Sequence, residues 1–115
     1  MREYRPNKWV LVHINESFYR VIGGWSGGYL DGDHWRASSA VCEIRDKGDE
    51  IHFLNQSGSV YKCRKDGYGT NVLTSGVIND AKKASKKAGS TFEVINLEDI
   101  KFGKIKLPDE LKDKV

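Results

Sequence analysis

Residues 46–69 read DKGDEIHFLNQSGSVYKCRKDGYG, and the turns in this stretch decide how the chain folds. Two turn signals, DKGD at residues 46–49 and QSG at residues 56–58, enclose a short strand sequence, IHFLN. Turn residues between runs of β-branched and aromatic residues are typical of antiparallel hairpins. Together with SSAVCEIR at residues 38–45, the stretch predicts a three-stranded meander.

The positions of the turns also predict which residues pair across the meander. The predicted pairs are Ile44 with Ile51, Cys42 with Phe53, Phe53 with Tyr61, and Ile51 with Cys63. One face of the sheet then collects a coherent apolar set, namely Ala40, Cys42, Ile44, Ile51, Phe53, Tyr61 and Cys63.

This register bears on the two cysteines. Cys42 and Cys63 would lie on strands separated by a third strand, roughly 10 Å apart at about 4.8 Å per strand step. A disulfide needs Cα atoms within about 7 Å of each other. We therefore expect two free, buried thiols.

A second hairpin is predicted upstream, from KWVLVHI at residues 8–14 and FYRVI at residues 18–22. A two-residue turn at residues 15–16 would place Val12 opposite Tyr19 and Val10 opposite Val21. Val10, Val12, Ile14, Tyr19 and Val21 would then share one face. The other face is not plainly polar, so we expect both faces to be partly covered.

Residues 23–36, GGWSGGYLDGDHWR, combine five glycines with three large aromatic residues. Glycine admits positive φ and close backbone approach, so the composition predicts a loop or a bulged strand. Two interpretations remain open. Trp25 and Trp35 fold back as core plugs, or the segment is an aromatic recognition loop.

One amphipathic helix is predicted over about residues 75–88, with Thr74 or Ser75 as its cap and Gly89 as its stop. Residues 91–95 predict a further strand, and residues 96–107 suit either an edge strand or a draped segment. A short helix at most follows at residues 107–111. The predicted fold class is α+β, a mainly antiparallel five- to six-stranded twisted sheet with this helix packed on it.

Composition is that of a soluble globular protein, with 115 residues, 38% hydrophobic and 30% charged. We expect one domain over residues 1–115, with loosely ordered ends at residues 1–7 and 108–115. No apolar run is long enough for a membrane span, no secretion signal is evident, and cysteines are few. These features favour a cytoplasmic location. The net charge of +3 comes from residues 81–115, where nine lysines face six acids.

Residues that could support catalysis are sparse. Asp31, Asp33 and His34 form the only cluster of acids with a histidine, and their spacing matches no known metal-ligand pattern. A metal-dependent enzyme at this cluster is therefore the weaker hypothesis. We predict a protein that is not an enzyme and that uses no metal or cofactor.

Two segments carry a resemblance to known proteins: DHWRASSAV near residues 33–41 and SGSVYKCRKDGYG at residues 57–69. They are similar to segments of small uncharacterised proteins of large tailed bacteriophages, over roughly residues 20–95. Ala40 departs from that pattern, in which a glycine is expected. The matching residues are Asp33, Trp35, Arg36 and Ser39, and then Ser57, Gly58, Ser59, Tyr61, Cys63, Lys65, Tyr68 and Gly69.

The resemblance implies a phage accessory protein that acts by binding in the host cytoplasm. We expect it to sequester or inhibit a host factor, either a defence protein or a nucleotide signal. A membrane partner is not expected, and the oligomeric state stays open, a small homo-oligomer included. The predicted contact residues are Trp25, Tyr29, Asp33, Trp35 and Arg36. The alternative is a nucleic-acid-binding module that uses Tyr68, Lys82, Lys83, Lys86 and Lys87.

Overall fold

A computed structural model describes residues 2–27 and 32–112 of the chain, except for the side chain of Lys112. These residues form nine strands in two sheets, one main helix and one short helix. The strands are β1 (Glu3–Tyr4), β2 (Lys8–Ile14), β3 (Phe18–Trp25), β4 (His34–Ala37), β5 (Val41–Asp46), β6 (Glu50–Asn55), β7 (Val60–Arg64), β8 (Phe92–Ile95) and β9 (Gly103–Lys104). The helices are α1 (Val72–Ala88) and α2 (Asp109–Lys112).

The predicted α+β class, with mainly antiparallel strands and one principal helix, is confirmed. The strands divide between a five-stranded sheet of order β1-β7-β6-β5-β9 and a four-stranded sheet of order β4-β3-β2-β8. All pairings within these two sheets are antiparallel except the parallel pair β1 and β7. In this way the N-terminal residues 3–4 become the edge of the larger sheet.

The β2–β3 hairpin has a cluster of buried apolar residues on each of its two faces. Trp9, Leu11 and Val21 on β2 and β3 pack against the five-stranded sheet, where Phe53 lies 5.3 Å from Trp9 between ring centroids. The opposite face of the same hairpin packs against Ile78 of α1. The prediction that both faces of this hairpin are covered is confirmed.

The register of the β2–β3 hairpin differs from the predicted one by one residue. Its loop holds three residues rather than two, and Asn15 and Glu16 both have positive φ. The observed pairs include Val10 with Ile22 and His13 with Tyr19. Because a shift of one residue exchanges the two faces of a strand, Ile22 and not Val21 shares the helix-facing side with Val10.

The meander behaves differently. The β6–β7 register is confirmed, with Phe53 opposite Tyr61 and Ile51 opposite Cys63. The β5–β6 register is wrong by two residues, since Ile44 pairs with Phe53. The turn is tighter than expected, with Gly48 at φ +83°. A shift of two preserves the face, so Ile44 remains in the core.

A bulge at Cys42 causes one further correction. Val41 pairs with Asn55 and Glu43 with the preceding Leu54, which leaves Cys42 as the extra residue. Val41 takes the core position, and Cys42 is only half-buried instead of facing Phe53. Both cysteines are free, as predicted, but only Cys63 is fully buried.

Within the glycine-rich segment, residues 23–25 and 34–36 belong to regular paired strands, contrary to the prediction, whereas the described residues 26–27 and 32–33 form no strand and agree with the predicted loop. β3 continues through both glycines to Trp25 and pairs with β4. A Cβ on Gly23 would lie 2.9 Å from Pro6, and one on Gly24 would lie 2.8 Å from the side chain of Asn71. The glycines therefore let the N-terminal segment and the start of α1 approach the strand.

Helix α1 begins earlier than predicted. Asn71 is its cap, not Thr74 or Ser75: its side chain accepts from the Thr74 N–H, and the Thr74 hydroxyl accepts from the Asn71 N–H. Gly89 ends the helix in the left-handed conformation, as predicted. Downstream, residues 103–104 form a short edge strand on β5, which is one of the two alternatives for residues 96–107, and Ile100 is buried in the core.

Candidate functional site

The predicted contact residues do not form one surface. Pairing places Trp25 opposite His34 and Gly23 opposite Arg36, so Trp25, His34 and Arg36 lie on one face of the β3–β4 hairpin. Trp35 pairs with Gly24 and lies on the other face, toward α1.

Trp25 is partly a core plug and Trp35 is not. The Trp25 ring stacks on His34 at 5.1 Å and meets the edge of Tyr4 at 6.3 Å, and it packs against the main core. Trp35 is 43% exposed. Asp33 is exposed just before β4, and Tyr29 lies outside the described residues.

Arg36, alone among the four of these residues that the structure describes, borders a concave surface at the junction of the two sheets. We call it the arginine groove, and its volume is about 640 Å³. Its walls come from β1, from β4 and the residues after it, from β7, and from the β6–β7 turn. Two arginines, two tyrosines and four serines line it, namely Arg2, Arg36, Tyr4, Tyr61, Ser38, Ser39, Ser57 and Ser59.

Tyr4 contacts both arginines of the groove, Arg2 and Arg36, which form its cationic wall. The Arg36 guanidinium carbon lies 4.9 Å from the centroid of the Tyr4 ring, within cation–π range. A hydrogen bond to Tyr4 raises the pKa of Arg2 above its ordinary value. Both guanidinium groups are thus held beside the same ring.

Three of the other four arginines pair with acids, whereas Arg20 donates to a backbone carbonyl. Arg5, Arg45 and Arg64 each lie within 2.9 Å of a carboxylate oxygen. Within residues 2–27 and 32–112, neither Arg2 nor Arg36 forms an ion pair with a carboxylate. Positive charge that the fold leaves uncompensated in a concave surface favours an anionic ligand.

Tyr61 forms the floor of the groove, with 1% of its surface exposed. Burial raises the pKa of its phenol to about 12, against the opposing effect of Arg36. The phenol therefore keeps its proton at neutral pH and can donate a hydrogen bond. Its ring lies 4.8 Å from that of Tyr4.

The opposite wall is a chain of hydroxyl groups. Ser39 Oγ donates to Ser57 Oγ at 2.8 Å, and Ser57 Oγ and Ser59 Oγ share a hydrogen bond of 3.2 Å. Asn55 Nδ2 donates to Ser59 Oγ at 3.1 Å. The β6–β7 turn and the segment after β4 are thereby joined beside the arginines.

Comparisons of the chain with protein-family models, with curated proteins and with solved structures give no match.

Sequence reasoning found Arg36 but missed the rest of the groove. The resemblance includes Ser57, Ser59 and Tyr61, but the sequence pattern predicts only the turn and the core position of Tyr61, which is correct, and not a binding surface. The missing information is the parallel pairing of β1 with β7, which brings Arg2 and Tyr4 to Tyr61. A two-residue strand has no periodicity that a sequence pattern could reveal.

The residues of the alternative nucleic-acid site are not brought together. The Tyr68 ring meets Trp9 edge-on at 5.2 Å, and its hydroxyl donates to the Ile95 carbonyl at 2.5 Å, so it is held between the two core clusters. The four lysines of this predicted site, Lys82, Lys83, Lys86 and Lys87, are exposed on α1. No described carboxylate pairs with them.

Of the three residues in the metal hypothesis, the structure describes Asp33 and His34, and Asp31 lies outside the described residues. Among the residues described, no group of three or more His, Cys, Asp or Glu side chains could hold a metal ion. No helix in the described part of the chain is long and apolar enough to cross a membrane.

Proposed function

We propose that the protein is a non-enzymatic binding protein of the phage accessory type, which sequesters a host nucleotide signal in the arginine groove. The observation that carries this proposal is the pair of guanidinium groups, of Arg2 and Arg36, that border a concave surface without a carboxylate partner among the described residues. Guanidinium groups bind phosphate oxygens through paired, charge-assisted hydrogen bonds.

The shape of the groove favours a nucleotide over a defence protein. Its volume of about 640 Å³ lies within the range of roughly 300–1,000 Å³ that is usual for small-molecule sites. Charged donors and tyrosine rings in one concavity match the phosphates and the apolar surface of a nucleotide.

The test is calorimetric titration of the protein with ribonucleotides at 0.15 M salt. Arg2→Ala should weaken binding about 10- to 100-fold, because a hydrogen bond to a charged group is worth roughly 1.5–3 kcal/mol. The variant should fold, since the Arg2 side chain is exposed and its backbone carbonyl, which accepts from the Val60 N–H, is retained.

Arg45→Ala is the matched control. It removes the same charge from a position outside the groove, where Arg45 pairs with Glu43, and it should leave nucleotide affinity unchanged. Equal losses in both variants would indicate general charge attraction. Trp35→Ala should also bind nucleotide normally, whereas a protein partner docked on the exposed aromatic surface would be lost with Trp35.

Nucleic-acid binding through α1 is the second candidate, favoured by the four exposed lysines. Such binding should weaken steeply with salt, because phosphate contacts release counterions. Lys86→Ala combined with Lys87→Ala should lower affinity for a single-stranded oligonucleotide and reduce the salt slope by about 1.4. Arg2→Ala should not change it, which separates the two candidates.

A further inference from the structure

We propose that the arginine groove selects a terminal phosphate monoester, bound between the Arg2–Arg36 wall and the Ser39–Ser57–Ser59 hydroxyl chain. The inference rests on the proposed function, since it names the class of nucleotide that the groove takes. A nucleoside monophosphate belongs to this class, and a cyclic phosphodiester does not.

The hydroxyl chain has one more hydrogen than it uses. Three hydroxyl hydrogens are available on Ser39, Ser57 and Ser59, and the chain contains two hydroxyl–hydroxyl hydrogen bonds. Asn55 Nδ2 adds a further donor to Ser59 Oγ, so this oxygen needs no second donor. Whichever way the bond between Ser57 and Ser59 points, one O–H of that pair remains for a ligand.

The floor of the groove adds a second neutral donor. Tyr61 keeps its phenolic proton, and the described residues provide no hydrogen-bond acceptor for it. Donors therefore line the groove on three sides: guanidinium groups, a phenol, and a serine hydroxyl. A ligand group that fits must therefore be rich in hydrogen-bond acceptors.

A phosphate monoester fits this set better than a diester does. It presents three terminal oxygens and a charge of about −1.5 to −2 at pH 7. A diester presents two such oxygens and a single charge, so it would leave one of the two arginines uncompensated and one donor unused. Desolvated donors without partners lower affinity.

The experiment uses matched ligands on the whole protein. Each of the four ribonucleosides is titrated as its 5′-monophosphate and as its 3′,5′-cyclic monophosphate, at pH 7.5 and 0.15 M salt. The expected result is binding of a monophosphate at least tenfold tighter than its cyclic form, with inorganic phosphate competing. Equal or tighter binding of the cyclic forms would overturn the inference and leave the proposed function standing. Binding of none of the eight ligands would overturn both.

Serine variants test the second wall. Ser57→Ala combined with Ser59→Ala should weaken monophosphate binding about tenfold and change cyclic-nucleotide binding less. The turn itself is held by backbone hydrogen bonds and by Gly58 at φ +89°, which the variant keeps. Ser17→Ala, in the loop at the other end of the β2–β3 hairpin, is the control and should change neither affinity. Equal losses for the two ligand forms would contradict the role assigned to the hydroxyl chain.

Discussion

The two cysteines differ in accessibility although neither is paired. Cys63 is fully buried in the main core, and burial raises the pKa of its thiol well above the ordinary value. Cys42 is half-buried beside the bulge, and burial raises the pKa of its thiol as well. We expect a thiol reagent to modify Cys42 slowly in the native protein and Cys63 only after unfolding, because the thiolate is the reactive form. Mass spectrometry after timed labelling measures this, and equal rates at the two positions would contradict the bulge.

Two glycines show how packing between elements decides the effect of the same substitution. A Cβ on Gly24 of β3 would come within 2.9 Å of Thr74 and 2.8 Å of Asn71 on α1, whereas one on Gly76 would meet nothing within 4 Å. Gly24→Ala should therefore lower the free energy of unfolding by about 1–3 kcal/mol, the usual range for overpacking. Gly76→Ala should raise it by about 0.5–1 kcal/mol, because alanine is the better helix former. Urea denaturation measures both, and destabilisation by Gly76→Ala would show that this side of α1 is covered.

Across the whole molecule, carboxylates with lowered pKa values predict acid sensitivity. Hydrogen bonds from His52, and then from Arg5, lower the pKa of Glu50, and Lys62 lowers that of Glu3. A depressed pKa contributes stability above the unfolded pKa of about 4.3, and this contribution is lost as pH falls through the folded value. The urea midpoint should hold from pH 7 to about pH 5 and fall below that, gradually, since exposed pairs contribute little. Glu50→Gln should make the fall shallower, and an unchanged midpoint down to pH 3 would contradict the prediction.

The accuracy of the predicted strand registers depended on the residues of each turn. The QSG turn fixed the β6–β7 pairing because Gly58 supplies the positive φ that the turn requires. The predicted β2–β3 register was wrong because the loop after Ile14 has three residues, with positive φ at Asn15 and Glu16. The composition of this loop does not indicate its length. An error of two residues in the register leaves each side chain on the same face of the sheet, whereas an error of one moves it to the other face. Ile44 was therefore placed on the correct face and Val21 was not.

By itself the sequence determined the fold class, the principal helix and its Gly89 stop, the meander and its core face except at Cys42, and the absence of a Cys42–Cys63 disulfide. These follow from local turn chemistry and from periodicity, which act over a few residues. Only the tertiary structure decided how the strands divide into two sheets, which residues face α1, and where the arginine groove lies. The groove depends on Arg2 and Tyr4 meeting Arg36 and Tyr61 across long stretches of chain. Such contacts are set by packing of whole elements, and no spacing along the sequence encodes them.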